Sequence, residues 1–388
     1  MGQAVAPLSL FMPVFDRERV SMKNFMKASI FVLLFGFVFI KLSYVLRPHD
    51  GDFAYIQLYG MLPKNSIDVV YIGGSSVMTY WAPMEAYEQF GFTSFNFSQT
   101  TMPAQLEKYC IVESLKKQSP KLIVADMRPF EYAEDILEES GEAYMFYDPI
   151  IRGFTDCFRY SKNRFQAIEN SVSKQESTLP YHFDIAKYHT TNLEGLLKIN
   201  NWKYAFNIPD DKTKCFGGFR PVIRYGIVER SDNNLITEEL PLSETLDAIY
   251  LDLIKYCANL DREVLFIIPP HAELEENHKK HNYMRRVAKE NGIVFLDCND
   301  IFEEIGLDVQ TDFYDHSHVQ IFGSKKYTKW LGNYLINAYD LPNRKGESEY
   351  ADWDVAYELW VPKAKEIEQA VFALMPEDIQ NRVRGTMN

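Results

Sequence analysis

Short, continuous apolar runs alternate with helix-period segments along most of the chain, which is the sequence form of a parallel sheet wrapped by helices. Five runs predict strands buried on both faces: 67–72 (IDVVYI), 92–97, 122–125 (LIVA), 264–268 (VLFII) and 293–296 (IVFL). Between them the helix ends are legible. Pro83 opens a helix that Gly91 closes, Pro103 opens the next, and Ser243 can N-cap one that runs through Tyr256. After Gly323, the residues Tyr327, Trp330, Leu331, Tyr334, Leu335 and Ala338 recur at i, i+3, i+4, i+7, i+8 and i+11, the apolar face of a last core helix. The pattern predicts an α/β domain over about residues 50–342.

Three stretches depart from that alternation. Residues 28–46 (ASIFVLLFGFVFIKLSYVL) are almost unbroken apolar sequence, long enough to cross a bilayer, with Lys41 near one end able to snorkel. Arg17, Arg19, Lys23 and Lys27 precede the run and no clear small-x-small cleavage site follows it. This favours an uncleaved signal anchor with residues 1–27 cytoplasmic and the bulk of the chain extracytoplasmic; a cleaved signal peptide and a buried core helix are the alternatives. Residues 130–242 are aromatic-rich, with helical patches and no clear strand run, and form an expected insertion: a lid or substrate-binding subdomain, or simply a packing subdomain. Residues 343–388 predict a helical tail that Pro362 breaks or kinks.

Composition narrows the function classes. A formal charge of -13 without a Lys/Arg stripe argues against a dedicated nucleic-acid binder. Cys110, Cys157, Cys215, Cys257 and Cys298 are odd in number, far apart and free of ligand spacing, so neither a disulfide framework nor a zinc site is expected.

Two segments carry candidate chemistry. Gly73, Gly74, Ser75 and Ser76 directly follow the first predicted strand, where small residues let the chain turn sharply and present a hydroxyl beside main-chain N–H donors. Alone, Gly-Gly-Ser is also an ordinary turn. Residues 311–323 (TDFYDHSHVQIFG) place Asp315 three positions before His318, so that one turn of chain can hold carboxylate and imidazole on the same side. An early strand-end serine and a late Asp-x-x-His at the mouth of one sheet are what a nucleophile, its base and its orienter require. His271, His278 and His281 lie after the fourth strand and along a charged helix; the spacing of the last two could hold a metal, but a solvated helix face is the expectation and no metal site is assigned. The glycine-rich Gly217–Gly218 segment lacks phosphate-loop context and is expected to be a turn that could line the site.

The serine after the first strand and the DFYDHSHVQIFGSKKYT block resemble the SGNH/GDSL hydrolase superfamily over about residues 65–340, the insertion excepted. The resemblance implies a flavodoxin-like three-layer α/β sandwich, with Ser75 as nucleophile, His318 as general base and acid, and Asp315 as its partner. It implies no cofactor. Two family positions depart from pattern. Where the oxyanion hole usually takes a glycine and an asparagine, this chain has Thr101 and the segment Asp126–Arg128; Gly74, Ser76, Asn96 and Arg128 are the candidate oxyanion or substrate-binding residues. The architecture is similar to the D-alanyl transfer protein and to exopolysaccharide O-acetylation proteins. That implies an esterase or O-acyltransferase acting on an acylated cell-envelope polymer or small acyl ester, beside a membrane-bound O-acyltransferase. The alternative is a catalytically silent scaffold of such a complex.

Overall fold

The computed structural model describes residues 22–49, 51–132, 141–208 and 213–387. Most of the N-terminal segment, including Arg17 and Arg19, lies outside the described residues. Five parallel strands form the central sheet: β1 (Val69–Gly73), β2 (Ser94–Ser98), β3 (Leu122–Asp126), β4 (Glu263–Ile268) and β5 (Val294–Asp297). Their order is β2-β1-β3-β4-β5, the doubly wound flavodoxin-like order. All five predicted strands are present, the first two starting two residues and ending one residue later than expected.

The helices used below are α1 (Met22–Leu46), α2 (Ser75–Tyr80), α3 (Pro83–Phe90), α4 (Glu107–Ser114), α5 (Gly141–Thr155), α6 (Leu179–His182), α7 (Asp184–Thr191), α8 (Ile199–Ala205), α9 (Glu244–Ala258), α10 (Glu275–Glu290), α11 (Ile321–Ala338) and α12 (Ala351–Leu374). Because side chains alternate across a strand, each strand feeds two cores. Val70, Ile72, Ile123 and Phe266 pack with Ile111, Tyr250, Leu253 and Met284 on one face. Val69, Tyr71, Val124 and Leu265 pack with Ala86, Tyr327 and Leu331 on the other. The result is a three-layer α/β/α domain.

The caps follow the sequence. Gly91 ends α3 in the left-handed conformation at φ 84°, and the Ser243 side chain accepts from Leu246 N to start α9. Two boundaries differ from expectation. Gly323 sits inside the first turn of α11 rather than before it, because a Cβ there would press on Asp312 and Val319, and only glycine lets this helix lie against that loop. Pro362 does not break α12, which runs on to Leu374; Trp360, Ala364, Ile367 and Val371 bury one stripe against Ala82, Met84 and Ile321, and that packing outweighs the one lost hydrogen bond.

Among the described residues the insertion contains helices and no strand. Gly217 and Gly218 take φ 65° and 83° in a turn pressed against Pro83 and the β2 backbone, so this turn packs on the sheet and does not line the candidate site. The helix α1 is long and apolar enough to cross a membrane; only its last residues, Ser43–Leu46, are buried in the domain. All five cysteines are buried and none forms a disulfide.

Candidate active site

In this order the direction of winding across the sheet reverses between the parallel strands β1 and β3, and the crevice outside their carboxyl ends is where doubly wound sheets take ligands. Ser75 leaves β1 there, and Asp126–Arg128 leaves β3 beside it. The turn is tight. A Cβ on Gly73 would meet Val77 and Asp126 at 2.5 and 2.7 Å, so glycine is required at the strand end. Gly74 then N-caps α2, whose first residue is Ser75.

Asp315 and His318 come from a small antiparallel hairpin, β6 (Phe313–Asp315) with β7 (His318–Val319), in which the two residues pair directly. Ser317 N donates to Asp315 Oδ1 at 2.8 Å and tightens the turn. His318 Nδ1 lies 2.8 and 3.0 Å from the two Asp315 carboxylate oxygens, and His318 Nε2 lies 2.7 Å from Ser75 Oγ. The three residues, 243 positions apart in sequence at their extremes, thus form one hydrogen-bonded chain. Tyr314 stacks on the imidazole, centroids 5.3 Å apart and planes within 4°. Burial opposes the Asp315 charge, but the hydrogen bond and charge of His318, with main-chain N–H groups of Ser317 and His318, hold its carboxyl below the usual range.

These groups open onto a cavity of about 320 Å³ lined by Gly74–Ser76, Thr101–Pro103, Asp126, Arg128, Pro129, Ser317 and His318. Phe146 and Tyr147 of α5 complete it, so the insertion reaches the site. Arg128 is buried; its Nη1 donates to Ser317 O at 2.9 Å, fixing the hairpin next to His318. Thr101 carries φ 51°, a left-handed conformation rare for a β-branched residue and natural for glycine.

Two candidate residues are placed otherwise than expected. Asn96 is buried on β2 with its amide donating to Val77 O at 3.2 Å and Trp81 O at 2.8 Å; both N–H groups tie β2 to the end of α2, leaving none for an oxyanion. The Ser76 hydroxyl donates to Asp126 Oδ2, so only its main-chain N–H remains for a substrate. Asp126 itself was not singled out as a site residue. It is fully buried at the pocket, where desolvation raises its carboxyl pKa against the opposing effects of Arg128 and Ser76. A polar residue ending a buried strand was the available signal.

The histidines after β4 are not on a solvated face. His278 and His281 are 1% and 0% exposed, because α10 turns this side toward β5 and the loop after β3. His281 Nδ1 meets Asp297 Oδ2 at 2.9 Å and Glu273 Oε2 at 3.2 Å, and its Nε2 meets Glu131 Oε1 at 2.9 Å. His278 Nδ1 meets Glu273 Oε1 at 2.9 Å, and His271 Nε2 lies 3.4 Å from Glu131 Oε1. Burial disfavours the charged imidazolium of His281, but Asp297, Glu131 and Glu273 together raise its pKa well above the ordinary value. Glu273, His278, His281 and Asp297 present ligand atoms within 4.8 Å of one another and are the set, among the described residues, that could hold a metal; here those atoms pair with each other. Searches against protein families, curated proteins and solved structures find no match for the chain.

Proposed function

We propose that this protein is an extracytoplasmic serine esterase or O-acyltransferase of SGNH/GDSL type, tethered through α1. The observation that carries the reading is the continuous Ser75–His318–Asp315 hydrogen-bond chain at the mouth of a cavity on the switch point of the sheet. His318 Nε2 takes the proton from Ser75 Oγ as that oxygen bonds to the ester carbonyl carbon. It returns the proton to the leaving alcohol as the old C–O bond breaks. Water or an acceptor hydroxyl then attacks the acyl-serine by the same route, which makes the protein an esterase or a transferase respectively. The oxyanion is met by main-chain N–H groups of the first turn of α2, which have no acceptor within the helix. The acyl donor is an ester of a cell-envelope polymer or a small acyl ester, and a membrane-bound O-acyltransferase is the fitting partner.

Tethering rather than cleavage is supported by the end of α1. Tyr44 and Val45 belong to a buried cluster with Met61, Tyr204 and Ala205, and Asn192 and Asn201 donate to the carbonyls of Leu46, Arg47 and Val45. Removing the helix at its end would open that cluster. A second reading, a silent scaffold that keeps the fold, is favoured by one observation: among the described residues no side-chain amide lines the cavity, since Asn96 is committed elsewhere.

The deciding experiment exposes the purified full chain to a fluorophosphonate and locates the adduct by mass spectrometry. Labelling confined to Ser75, and lost in Ser75→Ala and His318→Ala, is the expected result. A folded protein that takes no label at Ser75 would move the assignment to the scaffold.

A further inference from the structure

We propose that the insertion does more than line the cavity: its helices α6 to α8 form a rim that enters the surface of the bilayer crossed by α1, through Leu179, Phe183, Phe206 and Ile208. This rests on the reading of α1 as a membrane anchor. Helices α7 and α8 run alongside the end of α1. At the upper level Asn192 and Asn201 hold the carbonyls of Val45, Leu46 and Arg47. Lower down, Lys41 Nζ donates to Ala205 O at 2.6 Å, Phe39 packs edge-on against Phe183 at 6.3 Å, and Phe37 against Phe206 at 6.4 Å. From Phe37 upward α1 therefore carries a partial collar: protein flanks one side, Phe37, Val38 and Ile40 stay exposed, and Ser43–Leu46 are buried.

The length of α1 then sets where the membrane surface falls. Below the collar, Met22–Gly36 supplies fifteen residues, about 22 Å at 1.5 Å per residue. The hydrocarbon core is about 30 Å thick. The helix cannot recover the difference at its other end, where Lys23 and Lys27 already snorkel from within those fifteen residues and the charged Asp16–Arg19 run precedes them in the sequence. About five more residues are needed, which carries the bilayer up to Lys41, whose ammonium then lies at headgroup level. Just below that level Phe183 and Phe206, which touch Phe39 and Phe37, are 49% and 46% exposed, and their sequence neighbours Leu179 and Ile208 are 61% and 50% exposed. Exposed apolar side chains continuous with a membrane span, with aromatic rings among them, fit the bilayer interface.

The test uses the full chain reconstituted into phosphatidylcholine/phosphatidylglycerol vesicles, with an environment-sensitive fluorophore on single introduced cysteines. The five native cysteines are buried, so the introduced thiols react selectively. Leu179→Cys and Ile208→Cys should show blue-shifted emission and quenching by lipid-borne nitroxides, as should Phe35→Cys within α1, while Leu359→Cys on α12 should behave as in water. Quenching at position 35 without quenching at 179 and 208 would overturn the rim and leave the anchor standing, with local bilayer thinning absorbing the mismatch. No quenching at position 35 would remove the anchor reading and the rim with it.

Discussion

Two histidine–carboxylate systems sit at the carboxyl edge of one sheet, and they differ chiefly in access to solvent. In the first, His318 pairs with Asp315, whose side chain is 44% exposed, and the free end of the imidazole meets a hydroxyl at a cavity. In the second, His281 is flanked at both nitrogens by the fully buried carboxylates of Glu131 and Asp297. Identical chemical pairs serve different ends. A half-exposed pair costs little desolvation and can change its charge during a reaction. A sealed pair is held in one charge state by the low dielectric around it and acts as a clasp, here between the loop after β3, α10 and the end of β5. The two are mechanically linked, since Ala272 N donates to His316 O in the triad hairpin at 2.9 Å and Glu131 lies three residues after Arg128.

The largest expected effect separates them by activity. His318→Ala should lower ester turnover by roughly 10⁴-fold or more, as loss of a base from a triad does, while shifting the urea midpoint little. His281→Ala should do the reverse, costing about 3–5 kcal/mol of stability because it strands buried carboxylates. If His281→Ala unfolds as easily as the wild type, the clasp is not one. The pH dependence sharpens this second effect. The His281 pKa is raised in the folded state, so its contribution is complete below about pH 6.5, the ordinary value, and is lost as pH rises toward the folded value. Glu131 and Asp297 are held below the ordinary range, chiefly against burial, by their histidine neighbours, so their contribution is lost only as pH falls through those lowered values. The stability gap between wild type and His281→Gln, followed by urea unfolding across pH, should therefore be widest in the mildly acid range and narrow on both sides.

How much of this was legible in the sequence follows from the range of the interactions involved. The strands are local apolar runs and the caps are local chemistry, so both were readable, and the Asp-x-x-His hairpin lies within four residues. The pairing of His318 with Ser75 was accessible only because both segments fall at strand ends on the same edge. The sealed cluster was not: the sequence HAELEENHKKHNYMRR carries Glu, Lys and Arg along its length and few apolar residues, and only the tertiary approach of Glu131 and Asp297 turns one side of that helix inward. Asn96 misled for the same reason, since an amide near the carboxyl end of a strand is equally suited to a ligand and to the Val77 and Trp81 carbonyls that it meets.

The smallest expected effect tests what the open site stores in place of buried charge. Thr101 stands on the pocket wall with φ 51° and an exposed side chain, a conformation that costs a β-branched residue about 1–3 kcal/mol. Thr101→Gly removes that strain but gives the unfolded chain more freedom, which returns roughly 0.5–1 kcal/mol. The net expectation is a gain of about 1 kcal/mol in urea unfolding, with turnover within about threefold of the wild type, because glycine keeps the backbone path beside Met102. A loss of stability would mean that the threonine side chain holds the loop. Unchanged stability with a large loss of turnover would mean that the strained backbone itself, rather than the His318–Asp315 pair alone, sets the geometry at Ser75.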